Sequence, residues 1–94
     1  MDDIIQKIEW SKWKCINVSP NEEARDDWEW RKKYEGLVGH VVVYDYRAIY
    51  EDYRVKFITD DTKGFVTKAK ELAIDDDILT VTTPRSIYTF KKEG

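Results

Sequence analysis

The sequence predicts a mainly β domain of the α+β type with one helix near its N-terminus, and three observations carry that expectation. From Leu37 onward, β-branched and aromatic residues alternate with a period of two, as on a pleated strand with one face inward. Turn-forming clusters such as Asp60-Asp61-Thr62-Lys63-Gly64 and Thr83-Pro84-Arg85-Ser86 break these runs, so that strands recur about every ten residues. Upstream, Ser19-Pro20-Asn21-Glu22 combines a cap residue, a proline at the first helical position and a carboxylate able to return a bond to the cap.

Taken in order, Ile4, Ile5 and Ile8 are spaced for a single helical turn, with Asp2 or Asp3 as its cap. Trp13 to Val18 reads as a short strand, with Trp13, Cys15 and Asn17 to one side and Lys14, Ile16 and Val18 to the other. A helix is predicted over residues 20–35. Acidic residues crowd its first turn, Arg31, Lys32 and Lys33 crowd its last, and Gly36 stops it. Residues 37–46 form a strand that is apolar on both faces at its middle. Residues 47–51 connect it to a strand over Tyr53 to Thr59, with Tyr53, Val55, Phe57 and Thr59 inward. Phe65 to Thr67 begins a third strand, and Lys68 to Asp77 holds a short helical turn followed by an acidic loop. Ile78 to Thr83 and Ile87 to Lys91 complete the set, joined by a turn with Pro84 at its second position.

Connections this short favour antiparallel neighbours, because parallel pairing needs a crossover of about a dozen residues. The expected fold is a five-stranded antiparallel small barrel of SH3-like type over residues 37–94, with the segment 1–36 packed on it through the helix, all in one domain of 94 residues. So short a chain buries only roughly 60–65% of its unfolded surface. Large side chains must compensate, and four Trp and six Tyr supply them. The single cysteine, Cys15, excludes an intrachain disulfide. With no apolar run at the N-terminus for a signal peptide or membrane span, this points to a reducing cytoplasm.

The net charge of −3 argues against a general phosphate binder, which carries a basic excess. One His and one Cys leave a metal site dependent on carboxylates, and Asp75-Asp76-Asp77 lacks the alternation and the Gly and Glu of a calcium loop. No cofactor motif, Gly-rich phosphate loop or nucleophile elbow is present. His40, mid-strand between apolar neighbours, reads as packed or edge histidine rather than a general base. Cys15 reads as a buried structural thiol, although Lys14 beside it could lower its pKa. The expectation is a non-enzyme.

Aromatic residues ask for more explanation. On an α-helix Trp28 and Trp30 diverge by about 200°. Trp28 then groups with Ala24 and Trp30 with Tyr34, with Asp27 and Arg31 between the two pairs. Either both pairs serve the core, or the Trp30–Tyr34 pair faces outward as a partner anchor whose loss would spare stability. A second candidate surface is Tyr44, Tyr46, Tyr50 and Tyr53 with Arg47 and Arg54. These can pair across strands, line a peptide groove or stack nucleic-acid bases, though Asp45, Glu51 and Asp52 among them would repel a phosphate backbone. The Asp75-Asp76-Asp77 run offers an acidic surface that could compete for a basic channel.

The C-terminal half resembles small uncharacterised proteins of phages and prophages. The residues concerned are Gly36-Leu37-Val38-Gly39-His40-Val41, Tyr53-Arg54-Val55-Lys56-Phe57 and the closing run Thr82 to Phe90. Pro84-Arg85 departs from the Asn or Asp expected before Ser86. The resemblance implies an SH3-like barrel and a mobile-element origin, and it carries over no functional residue. The leading functional expectation is a protein-binding module that occupies a host protein, which could itself bind nucleic acid, in the manner of an anti-CRISPR or anti-restriction inhibitor. The alternatives are a nucleic-acid-binding barrel and a phage structural or assembly component.

Overall fold

The computed structural model describes residues 3–59 and 64–93. Asp2, the side chain of Asp3 and residues 60–63 of the predicted turn lie outside the described residues. The chain runs as α1 (Asp3–Glu9), β1 (Lys12–Pro20), a 3-10 helix (Trp28–Tyr34), β2 (Val38–Asp45), α2 (Arg47–Tyr50), β3 (Tyr53–Thr59), β4 (Phe65–Ala69), β5 (Glu71–Asp75), β6 (Ile78–Thr82) and β7 (Ser86–Glu93). The mainly β, antiparallel expectation holds. The five-stranded barrel does not: seven strands form one open sheet in the order β4-β3-β2-β1-β7-β6-β5.

Two strands account for the difference. The Trp13–Val18 run belongs not to an appended segment but to the middle of the sheet, where it pairs with both β2 and β7. Residues 71–75 also form a strand. Ala69–Ala73 is rich in helix formers, but Leu72 and Ile74 alternate inward against β6, and the Lys70 N–H donates to the Thr82 carbonyl at 2.7 Å. Local propensity yields here to burial of an alternating pattern. The inward set passes from residues 65, 67 and 69 to residues 72 and 74. That one-residue change of phase marks a corner at Lys70, where a single residue joins the two outer strands.

The sheet is strongly curled. Strands three or four places apart in a flat sheet would lie about 14 or 19 Å from one another. Yet the Phe57 (β3) and Phe90 (β7) ring centroids are 5.0 Å apart, and those of Phe65 (β4) and Tyr88 (β7) are 4.5 Å apart. The concave face therefore encloses one core of Trp13, Cys15, Val41, Val55, Phe57, Leu79, Val81 and Phe90, with Ile8 of α1 packed into it.

The predicted helix over 20–35 is also corrected. Ser19 and Pro20 end β1 opposite Ile87 and Ser86, a position where proline's missing N–H is tolerated. The helix-start signals are consumed by the hairpin turn before β7. Asn21 N–H donates to Arg85, Glu23 N–H to Pro84, and Asn21 Nδ2 to the Thr83 carbonyl at 2.8 Å. Helix begins only at Trp28, with a tighter pitch. Within β1 a bulge between Cys15 and Asn17 resets the alternation, so that Val18 and not Asn17 is buried. The Val18 N–H then donates to the Glu35 carboxylate at 2.8 Å. Gly36, at φ +92°, takes the left-handed turn that lets residues 36–37 bond to Cys15.

Pairing of β1 with β2 stops at His40, leaving the rest of that β2 edge without a strand partner. α1 packs along β2, and the Glu9 carboxylate accepts the Val43 N–H at 3.1 Å. This is one way a protein shields an open strand edge.

Candidate functional site

The 3-10 helix settles the tryptophan question by its period. With three residues per turn, Trp28, Arg31 and Tyr34 share one face. These three are buried or half-buried, while Glu29, Trp30, Lys32 and Lys33 are exposed. The two rings of the Trp30–Tyr34 pair therefore do not face outward together. Tyr34 is 7% exposed and packs on Phe65 at 4.7 Å between centroids. Burial pushes its phenol pKa up against the pull of Arg31. Trp30 is 48% exposed and touches Tyr34 only by its edge, at 6.2 Å. The Arg31 guanidinium lies 4.6 Å from its ring centroid and the Lys33 ammonium 5.1 Å, so the ring already meets two cations of its own helix. Burial likewise raises the Tyr88 phenol, with Arg31 opposing.

The tyrosine cluster behaves differently. Tyr53 is buried in the core at the start of β3, with Arg47 over its ring at 4.8 Å. Tyr44, Tyr46 and Tyr50 gather at the β2–α2–β3 end. Tyr44 and Tyr46 stack at 6.2 Å with planes 17° apart, and Tyr50 meets Tyr46 edge-on at 6.0 Å. All three are exposed, at 48%, 39% and 57%, and Ile49 beside them is 71% exposed. Arg54 bridges the set, 5.9 Å from the Tyr46 centroid and 5.2 Å from that of Tyr50.

Local hydrogen bonds hold the turn that carries this platform. Asp45 accepts from Arg47 Nε at 2.9 Å, Nη2 at 2.7 Å and the backbone N–H at 3.1 Å. These bonds pull its carboxyl down to about 2. The single turn of α2 closes at Glu51, whose φ of +61° reverses the chain. Asp52 is buried, accepts Arg54 Nε at 3.4 Å, and offers its carbonyl to the Tyr46 N–H at 3.2 Å. Asp45 and Asp52, read as repelling charges, are thus each held by an arginine. Ile49 was not singled out from the sequence. The available signal was a large aliphatic residue directly before Tyr50 in a connection.

The acidic run splits between two elements. Asp75 ends β5, while Asp76 and Asp77 form the two-residue turn to β6, with Asp76 at φ +53°. All three are exposed, and the Asp77 carbonyl accepts the Lys92 N–H at 2.8 Å. Among the described residues, no group of three or more His, Cys, Asp or Glu side chains converges to hold a metal ion. Cys15 is fully buried, and burial pushes its thiol up to about 12, outweighing any influence of Lys14. His40 lies exposed on the outer sheet face. Among the described residues, no helix is long and apolar enough to cross a membrane. No family model, no curated protein and no solved structure matches the chain.

Proposed function

We propose that the chain is a small protein-binding module that works by occupying a partner's surface, as an inhibitor or regulator rather than by chemistry. Its contact surface is Tyr44, Tyr46, Ile49 and Tyr50 with Arg54. One observation carries the reading: three tyrosine rings, Tyr46 in contact with both Tyr44 and Tyr50, and an isoleucine are exposed together on a short turn clamped by Arg47 and Asp45. Tyr and Arg are enriched at binding hot spots, and clustered exposed apolar surface marks interaction sites. Such rings lose little conformational entropy on binding, because two torsions define each.

A photo-crosslinking residue placed at Tyr50 tests the reading in a lysate of the source cell. The expected result is a discrete protein adduct that disappears in competition with the unmodified chain and is not formed from the same residue at Glu71. Equal labelling from both positions would remove the basis for assigning the surface.

A further inference from the structure

The chain carries a net charge of −3, yet one half of its outer sheet face is cationic. Strand register arranges this half in rows. Lys91, Lys14 and Val38 lie side by side across β7, β1 and β2. Val42, Lys56 and Val66 cross β2 to β4, and Tyr44, Arg54 and Lys68 form the row beyond. A fourth row sets Glu93, Lys12, His40 and Ile58 together. On β7 and β1–β4, Glu93 is the one carboxylate in these rows among the described residues; the Lys91 row reaches a second, Asp75, beyond Ile78 on β6. The other half of the outer face differs: Thr89, Thr80 and Thr82 lie there, with Glu71 and Asp75 on β5. Charge is thus segregated along the sheet.

Aliphatic side chains fill the space between the cations. Ile58 is 41% exposed and Val66 is 66% exposed. Single-stranded nucleic acid needs rings on which bases stack, and among the described residues these rows hold two, Tyr44 and the smaller imidazole of His40. Carboxylates surrounding an apolar patch would instead meet both features at once, the lysines by charge and Ile58 and Val66 by burial.

We propose that the outer face of β1–β4 docks an acidic protein surface with an apolar centre. This deepens the preceding reading and rests on it for the partner being a protein, since Tyr44 and Arg54 belong to both surfaces. The test titrates a fluorescent amphipathic helical peptide, with a Glu-rich face flanking a Leu stripe, and separately a thymidine oligonucleotide. Each is added to the wild type, to K56E/K68E and to Y46A/Y50A. The proposal expects peptide binding that weakens steeply with salt and falls about tenfold in K56E/K68E at unchanged melting temperature. It also expects amide shifts concentrated on β3 and β4. Should the charge-reversed chain be destabilised, K56Q/K68Q replaces it, with a smaller loss in the same direction.

Binding that is equal in wild type and K56E/K68E overturns the proposal. So does an oligonucleotide that binds more tightly than the peptide, which would make this a nucleic-acid face. Self-association that K56E/K68E abolishes also overturns it, because Glu71 and Asp75 of a second copy would then be the occupant. Loss in Y46A/Y50A alone defeats this proposal and spares the tyrosine platform. Loss in K56E/K68E alone sustains it and counts against the platform.

Discussion

The segments Trp28–Tyr34 and Tyr44–Tyr50 start from the same material: seven residues, three rings and an arginine each. The first turns its last ring into the core, where Tyr34 meets Phe65, half-buries Trp28, and leaves Trp30 alone at the surface beside cations of its own helix. The second turns every ring outward and ties its arginine to Asp45. Backbone pitch makes the difference. Three residues per turn align Tyr34 with Trp28 and Arg31, whereas a strand end followed by one helical turn brings Tyr44, Tyr46 and Tyr50 together on the outside. Aromatic density alone therefore says little about whether a segment is core or interface.

The comparison breaks most readily at Tyr34. Tyr34→Ala should cost about 3 kcal/mol, as for other large buried rings, read by urea denaturation; a loss below about 1 kcal/mol would place Tyr34 outside the core. Next in size is Glu9→Ala. It leaves the Val43 N–H without its acceptor on the strand that leads to the platform and should cost about 1–2 kcal/mol, with faster hydrogen exchange at Val43. Unchanged exchange there would show that another group covers the edge. Tyr50→Ala should lie within about 0.5 kcal/mol of wild type, as an exposed substitution does. A larger cost would show the platform to be structural.

The smallest effect is one of pH. The folded Asp45 carboxyl titrates at about 2, below its usual 3.8, so its contribution is complete above about pH 4 and is lost as pH falls from there toward 2. Asp45→Asn should flatten that part of the stability–pH curve. An unchanged slope would show that the Arg47 clamp is not populated in solution.

Much of the sheet was legible because its strands alternate cleanly. Tyr53–Thr59 falls on β3 residue for residue, and α1, β2, β6 and the turn before β7 are close to expectation. The helix over 20–35 failed because its start signals are all local, whereas Ser19, Pro20 and Asn21 are claimed by a hairpin that lies 62 residues away along the chain. β5 was hidden by helix-forming side chains whose inward phase shifts at Lys70. Of the candidate site, the tyrosines were visible, and Tyr53 is buried as the alternation of its strand predicts, but the burial of Tyr34 depends on pitch, and the meeting of distant residues on curvature and register, which composition does not encode. The cationic rows were invisible for the same reason. Lys12, Lys14, Lys56, Lys68 and Lys91 are scattered along the chain and meet only through strand register.

The central place of β1 bears on how the chain reaches its native state. β2–β3–β4 and β5–β6–β7 are each zigzags of sequence neighbours, able to form through short loops. Joining them along β1 and β7 closes a far longer loop and is the costly step, the kind that slows β proteins to the millisecond-to-second range. The same arrangement makes the molecule divisible. Cut at Lys70, it would leave two pieces that recombine along one long seam, and co-expressed fragments should recover the native near-ultraviolet circular dichroism. Failure to recover it would mean that the Lys70 corner, and not the β1–β7 seam, holds the two halves together.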